Sequence, residues 1–107
     1  MEHNNTIVLK PSANQDHKDS FYEIIRQRVA IGFKASKVNV ENMEFVVITD
    51  AHRAFYAPIH SVGDHSEEGR VNILFNEPVE LEMSYLKDIK WSSNNVRYTH
   101  LPVNKWN

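Results

Sequence analysis

Apolar and polar positions change period several times along this chain, and each change marks an element. Thr6 to Lys10 carries the apolar run Ile7 to Leu9, is closed by Pro11, and predicts a first strand. Ser12 to His17 is polar and predicts a loop. Ser20, Phe21, Tyr22 and Glu23 form a capping-box pattern. In that pattern the serine hydroxyl accepts from the Glu23 amide and the glutamate reaches back to the serine amide. Phe21, Ile24, Ile25 and Val29 follow at helical spacing. A helix is therefore expected from Ser20 to about residue 31, with Gly32 as its stop. Val29, Ile31, Phe33 and Ala35 also alternate, as a strand starting just after Arg28 would, and Gly32 weakens either element.

From Val38 onward the pattern is β. Met43 to Thr49 is rich in branched and aromatic residues, Asp50 to Arg53 makes a turn, and Ala54 to His60 returns as a hairpin partner. Pro58 has no amide hydrogen and belongs at a sheet edge or a bulge. Ser61 to Arg70 reads as a longer polar loop, Val71 to Phe75 as the next strand, and Asn76 to Pro78 as a turn. Val79 to Met83 alternates, which sends Val79, Leu81 and Met83 inward and Glu80 and Glu82 to water. Tyr85, Leu86 and Ile89 are expected to close the sheet, with Trp91 at its rim. Val96 to Leu101 reads as a last short strand, and residues 1–5 and 102–107 as end segments.

The fold class is then α+β: one helix in the N-terminal half, packed on a small, mostly antiparallel curled sheet or a partly open β-barrel, in a single domain over residues 1–107. Sm-like and SH3-like barrels have this order of elements, and a two-layer sandwich of helix on sheet is the alternative.

Composition narrows the function more by exclusion than by indication. A chain of 107 residues supports one modest core. Its hydrophobic share of 41% and charged share of 24% are those of a globular protein and not of a disordered one. Two Trp, four Tyr and five Phe fill that core, so a deep cavity is not expected and function falls on the surface. With no cysteine, disulfides, thiolate metal sites and cysteine nucleophiles are excluded, and the chain suits a reducing compartment. The polar start lacks the shape of a signal peptide, and the run Phe45 to Ile48 is too short to span a bilayer. A cytoplasmic location and no membrane contact are the expectation. Size and simplicity also fit small accessory proteins of bacteria and their phages.

Charge adds direction. Residues 18–37 carry a net +3 and residues 38–90 a net −6, two fields able to orient a charged partner. The acids Glu77, Glu80, Glu82 and Asp88, with Glu67 and Glu68 in a neighbouring loop, form the most directional group. Such a face docks on a basic protein surface, as inhibitors of nucleases do. The leading expectation is a non-enzymatic interaction protein: a regulator, inhibitor or immunity-type factor that uses no cofactor and binds another protein. A second class is nucleic-acid binding through Arg26, Arg28, Lys34 and Lys37, with Tyr22 or Tyr56 stacking on bases. A pI near 6.3 and the acidic half oppose it. A third is a metal-dependent enzyme that gathers His52, His60 and His65 with Asp50 and Asp64 from two adjacent loops. That spacing matches no recognised ligand pattern, and ordinary surface histidines account for it as well. No nucleophile elbow or phosphate-cradling glycine loop is present in the sequence.

Overall fold

The computed structural model describes residues 4–11, 20–87, 89 and 96–101, with Ser20 described in its backbone alone. The expected roles of Asp88, Trp91, the loop 12–17 and the tail 102–107 lie outside the described residues, as does the serine half of the capping box. The elements are β1 (Thr6–Leu9), α1 (Ser20–Gln27), β2 (Val29–Lys34), α2 (Lys37–Glu41), β3 (Phe45–Thr49), β4 (Ala54–Asp64), β5 (Arg70–Phe75), β6 (Val79–Leu81), a 3₁₀ turn (Met83–Leu86) and β7 (Val96–Thr99).

The strands form one curled mixed sheet in the order β2-β5-β4-β3-β1-β7, with β6 also on β4, and the two helices pack on it to complete a half-barrel. β1 and β3 run parallel, and the other pairs are antiparallel. The eleven-residue β4 is the shared element. Its first half, Ala54 to Pro58, pairs with β3 on one edge, and Ala54 to Tyr56 pair with β6 on the other. From Ile59 onward β4 pairs with β5, after a register shift between Ile59 and Ser61. Such a shift bends a strand and increases its twist, which curls the sheet here. Pro58 stands opposite Phe45 just before this shift, so the expected bulge falls beside it.

β1 and β3 are buried on both faces, which is why their sequences are continuous apolar runs. Ile7, Leu9, Val46 and Ile48 join Phe21 and Val40 of the helices, Ala30, and Val71, Ile73 and Phe75 of β5 in the larger cluster. On the opposite face Val8 and Val47 meet Ala54, Leu81, Leu86 and Leu101. Among the described residues no helix is long and apolar enough to cross a membrane.

Four of the expected elements need correction. The helix ends at Gln27 and not near residue 31; the alternating pattern prevailed and Val29–Lys34 is a strand. Arg28 takes the left-handed conformation (φ 60°) while its amide donates to the Ile24 carbonyl, which ends the helix and turns the chain at once. Gly32 is then not a stop but the positive-φ residue (φ 76°) of a bulge in β2. The Gly32 amide donates to Asn72 Oδ1 (2.9 Å), and its carbonyl accepts from Arg70 Nη1 (2.7 Å). Second, Lys37–Glu41 is a helix inside the region that reads as β, started by the Ser36 hydroxyl accepting from the Asn39 amide. Third, β4 and β5 run on through most of the expected loop, leaving five residues, 65–69, between them. Fourth, β6 stops at Leu81, and Tyr85 and Leu86 belong to the 3₁₀ turn that caps the smaller cluster instead of closing the sheet.

Asn5 ties the first and last strands together. Its side chain donates to the Leu101 carbonyl and accepts from the Leu101 amide, both at 2.9 Å. Its own carbonyl accepts from the amides of Glu44 and Phe45. Asn5→Ala should cost about 2–3 kcal/mol in urea denaturation, because two backbone groups of the buried Leu101 lose their partners.

Candidate functional site

The acidic group divides in two. β6 runs beside Ala54–Tyr56 at the start of β4, whereas Glu67 and Glu68 sit in the loop that follows its other end. Glu67 and Glu68 therefore do not share a face with Glu80 and Glu82. Glu67 is held by Arg70 at 3.0 Å. Around β6, Glu77, Val79, Glu80 and Glu82 are all exposed. Val79 is expected to face inward; it is 53% exposed because, among the described residues, β6 pairs with β4 alone and no element covers it.

Glu80 is not a free carboxylate. It pairs with Phe55 of β4 in register, on the face that carries α1, and accepts from Arg53 Nε at 3.0 Å. The Arg53 guanidinium also lies 5.2 Å from the Phe55 ring centre, and the Tyr22 oxygen is a further partner for it. Arg53 thus links the hairpin turn to both β6 and α1. Its hydrogen bond holds the Glu80 carboxyl below the ordinary glutamate range. Glu77 and Glu82 form no ion pair among the described residues.

The cations do not form one patch either. Arg26 is bound to Glu23 one turn earlier on α1, and Lys37 reaches Asp64 at 3.3 Å. Arg28 and Lys34 stand at the two ends of β2, both exposed. Tyr22 is exposed beside Arg53, and Tyr56 packs on the smaller apolar cluster.

The histidines are spread along the hairpin. His52 lies in the turn before β4, His60 within the strand, and His65 in the loop after it. Among the described residues no three side chains able to ligate a metal come together. Asp50 and Asp64 have other roles. Asp50 Oδ1 accepts from the amides of His52 and Arg53, which shapes the turn together with Ala51 at φ 77°. Partial burial pushes the Asp50 carboxyl upward, but those amides and the His52 ring outweigh it and hold the group below its ordinary range. His65 Nδ1 accepts from the Glu67 amide while its ring packs against Gly32.

No family model, curated protein or solved structure matches this chain.

One feature escapes the sequence. Asn4, Asn39, Asn42, Met43 and Tyr98 line an open depression of about 260 Å³. Its lining is uncharged, and burial raises the Tyr98 phenol above its ordinary value. The residues come from three segments far apart in the chain, so no local pattern marks them.

The Glu80 shift has a definite sign. A carboxyl whose folded pKa lies below its unfolded one favours the fold above the unfolded pKa and loses that contribution as pH falls through the folded value. Carboxyl NMR titration should therefore find Glu80 and Asp50 titrating below ordinary glutamates and aspartates. Arg53→Gln should return Glu80 to the ordinary range and leave Asp50 low, since Asp50 is held by backbone amides.

Proposed function

We propose that this chain is a small non-enzymatic interaction protein, a regulator, inhibitor or immunity-type factor, that binds a basic surface of a partner protein through the acidic edge at β6. The exposure of Val79 among Glu77, Glu80 and Glu82, on a strand paired along one edge only among the described residues, carries this reading. An apolar anchor with a charged rim is the make-up of a docking patch, since burial supplies affinity and the rim supplies orientation and on-rate. Glu77 and Glu82 are the long-range attractors; Glu80, already neutralised by Arg53, holds the strand in place. Glu67 and Glu68 lie at the other end of β4 and are not part of this patch.

The test starts with crosslinking in the native host to identify what lies against β6, followed by binding kinetics with the purified partner. Glu77→Lys with Glu82→Lys should slow association at least tenfold and remove most of its salt dependence. Thermal stability should move by about 0.5 kcal/mol or less per site, as at other exposed positions. Unchanged association by that double variant would show that the partner reads another face.

A further inference from the structure

The sheet has a step along one side. β5 and β6 follow one another along the same edge of β4, joined by residues 76–78. β2 adds one more strand outside β5, and nothing described lies outside β6. β2 therefore stands one strand-width, about 4.8 Å, beyond the line of β6. Both outer edges are unpaired among the described residues.

Each edge carries one sign of charge. Arg28 and Lys34 bracket β2; both are exposed, and neither has an ion pair among the described residues. Glu77 and Glu82 bracket β6 in the same way. The spacings agree. Arg28 and Lys34 are six positions apart with a bulge that absorbs about one of them, and Glu77 and Glu82 are five apart. The exposed apolar side chains agree as well. Ile31, 60% exposed, and Val79 both lie on the face of the sheet away from α1.

We infer that the β6 edge takes the β2 edge of a second copy of this chain, in a closed two-fold dimer. The inference rests on reading β6 as a docking edge and names its basic partner. A copy rotated by 180° about an axis normal to the sheet sets its β2 into the step beside β6 while its own step receives β2 of the first molecule. β2 runs antiparallel to β5, and β5 and β6 run the same way, so the rotated β2 lies parallel to β6. Arg28 of the copy then falls beside Glu77, and Lys34 beside Glu82. Pairing β2 with β2, or β6 with β6, opposes like charges and is disfavoured. The bulge and the terminal lysine of β2 are devices that discourage indiscriminate edge pairing, and here they also set the register. The outer face of β2 and β5 offers Val29, Ile31 and Leu74 but no aromatic ring for a base to stack on, which favours a protein strand over nucleic acid.

Sedimentation equilibrium of the full chain tests this. The 12.5 kDa chain should show reversible, micromolar association to twice that mass, weakened at least tenfold between about 20 mM and about 500 mM salt. Arg28→Glu with Lys34→Glu, and Glu77→Lys with Glu82→Lys, should each be monomeric at concentrations where the wild type dimerises, with unchanged circular dichroism. Mixing the two variants should restore a one-to-one dimer, because each acidic edge again meets a basic one. A wild type that stays monomeric to millimolar concentration overturns the proposal, as do variants that dimerise like wild type, a mixture that stays monomeric, or a species larger than a dimer. A monomeric wild type whose foreign partner is still lost on reversing Glu77 and Glu82 sinks the dimer alone. Loss of neither dimer nor partner on that reversal sinks the β6 reading itself.

Discussion

Everything in this fold depends on β4 serving two sets of neighbours. An eleven-residue strand that stayed straight would carry β3, β5 and β6 in one flat layer with no room for a shared core. The register shift after Ile59 turns the second half of β4, and β5 and β2 with it, around the helical face. Phe21, Ala30 and Ile73 can then meet Ile7 and Ile48 in one cluster. The same turn leaves β6 behind on the first half of β4. The step along the sheet's edge, the isolation of the Glu67–Glu68 loop from β6, and the exposure of Val79 all follow from it.

Local chemistry on either side of β4 holds that arrangement in place. At its start, the Thr49 hydroxyl donates to the Arg53 carbonyl at 2.7 Å and accepts from the Ala51 amide, while Asp50 takes the next two amides. The turn is thus held by two adjacent side chains, Thr49 and Asp50. Beyond its end, Arg70 clamps the Gly32 carbonyl and Glu67 together, and Asn72 joins the Gly32 amide to the Asp64 carbonyl. Here the bulge in one strand is bonded to side chains of the next. A Cβ on Gly32 would meet the His65 ring at 3.1 Å and force a side chain into positive φ, so only glycine fits this junction without strain.

What could be read from the chain follows from how local each determinant is. The strands at Thr6–Leu9, Phe45–Thr49 and Arg70–Phe75 were legible because burial on one or both faces leaves a two-residue or continuous apolar pattern. The class of fold followed from their number and from the amphipathic start of α1. The end of α1 was ambiguous because Val29 and Ile31 satisfy both periods. What decides it is the bonding of Arg28 and Gly32 to β5, forty or more positions away. Helix α2 was missed because it is five residues long and its one buried side chain, Val40, sets no period. Acidic residues were easy to find and hard to group. Sequence proximity put Glu67 and Glu68 beside Glu80, and β4 separates them by its length.

A half-barrel has edges that a closed barrel does not, and exposed edges are sites of unspecific pairing unless something marks them. On the stepped side of the sheet the marks are charges of one sign on each edge. β2 ends in cations and β6 in carboxylates, so neither edge can pair with its own kind without opposing like charges. Glu80 shows how deliberate the separation is. The acid at the centre of β6 is neutralised by Arg53 from the same molecule, whereas Glu77 and Glu82 at its ends are left to solvent. A neutral centre lets the strand lie on apolar neighbours without a desolvated charge, and charged ends disfavour a neighbouring edge of like sign. That arrangement costs the fold little, because the end carboxylates stay hydrated. It gives the edge a specificity that apolar area alone would not supply.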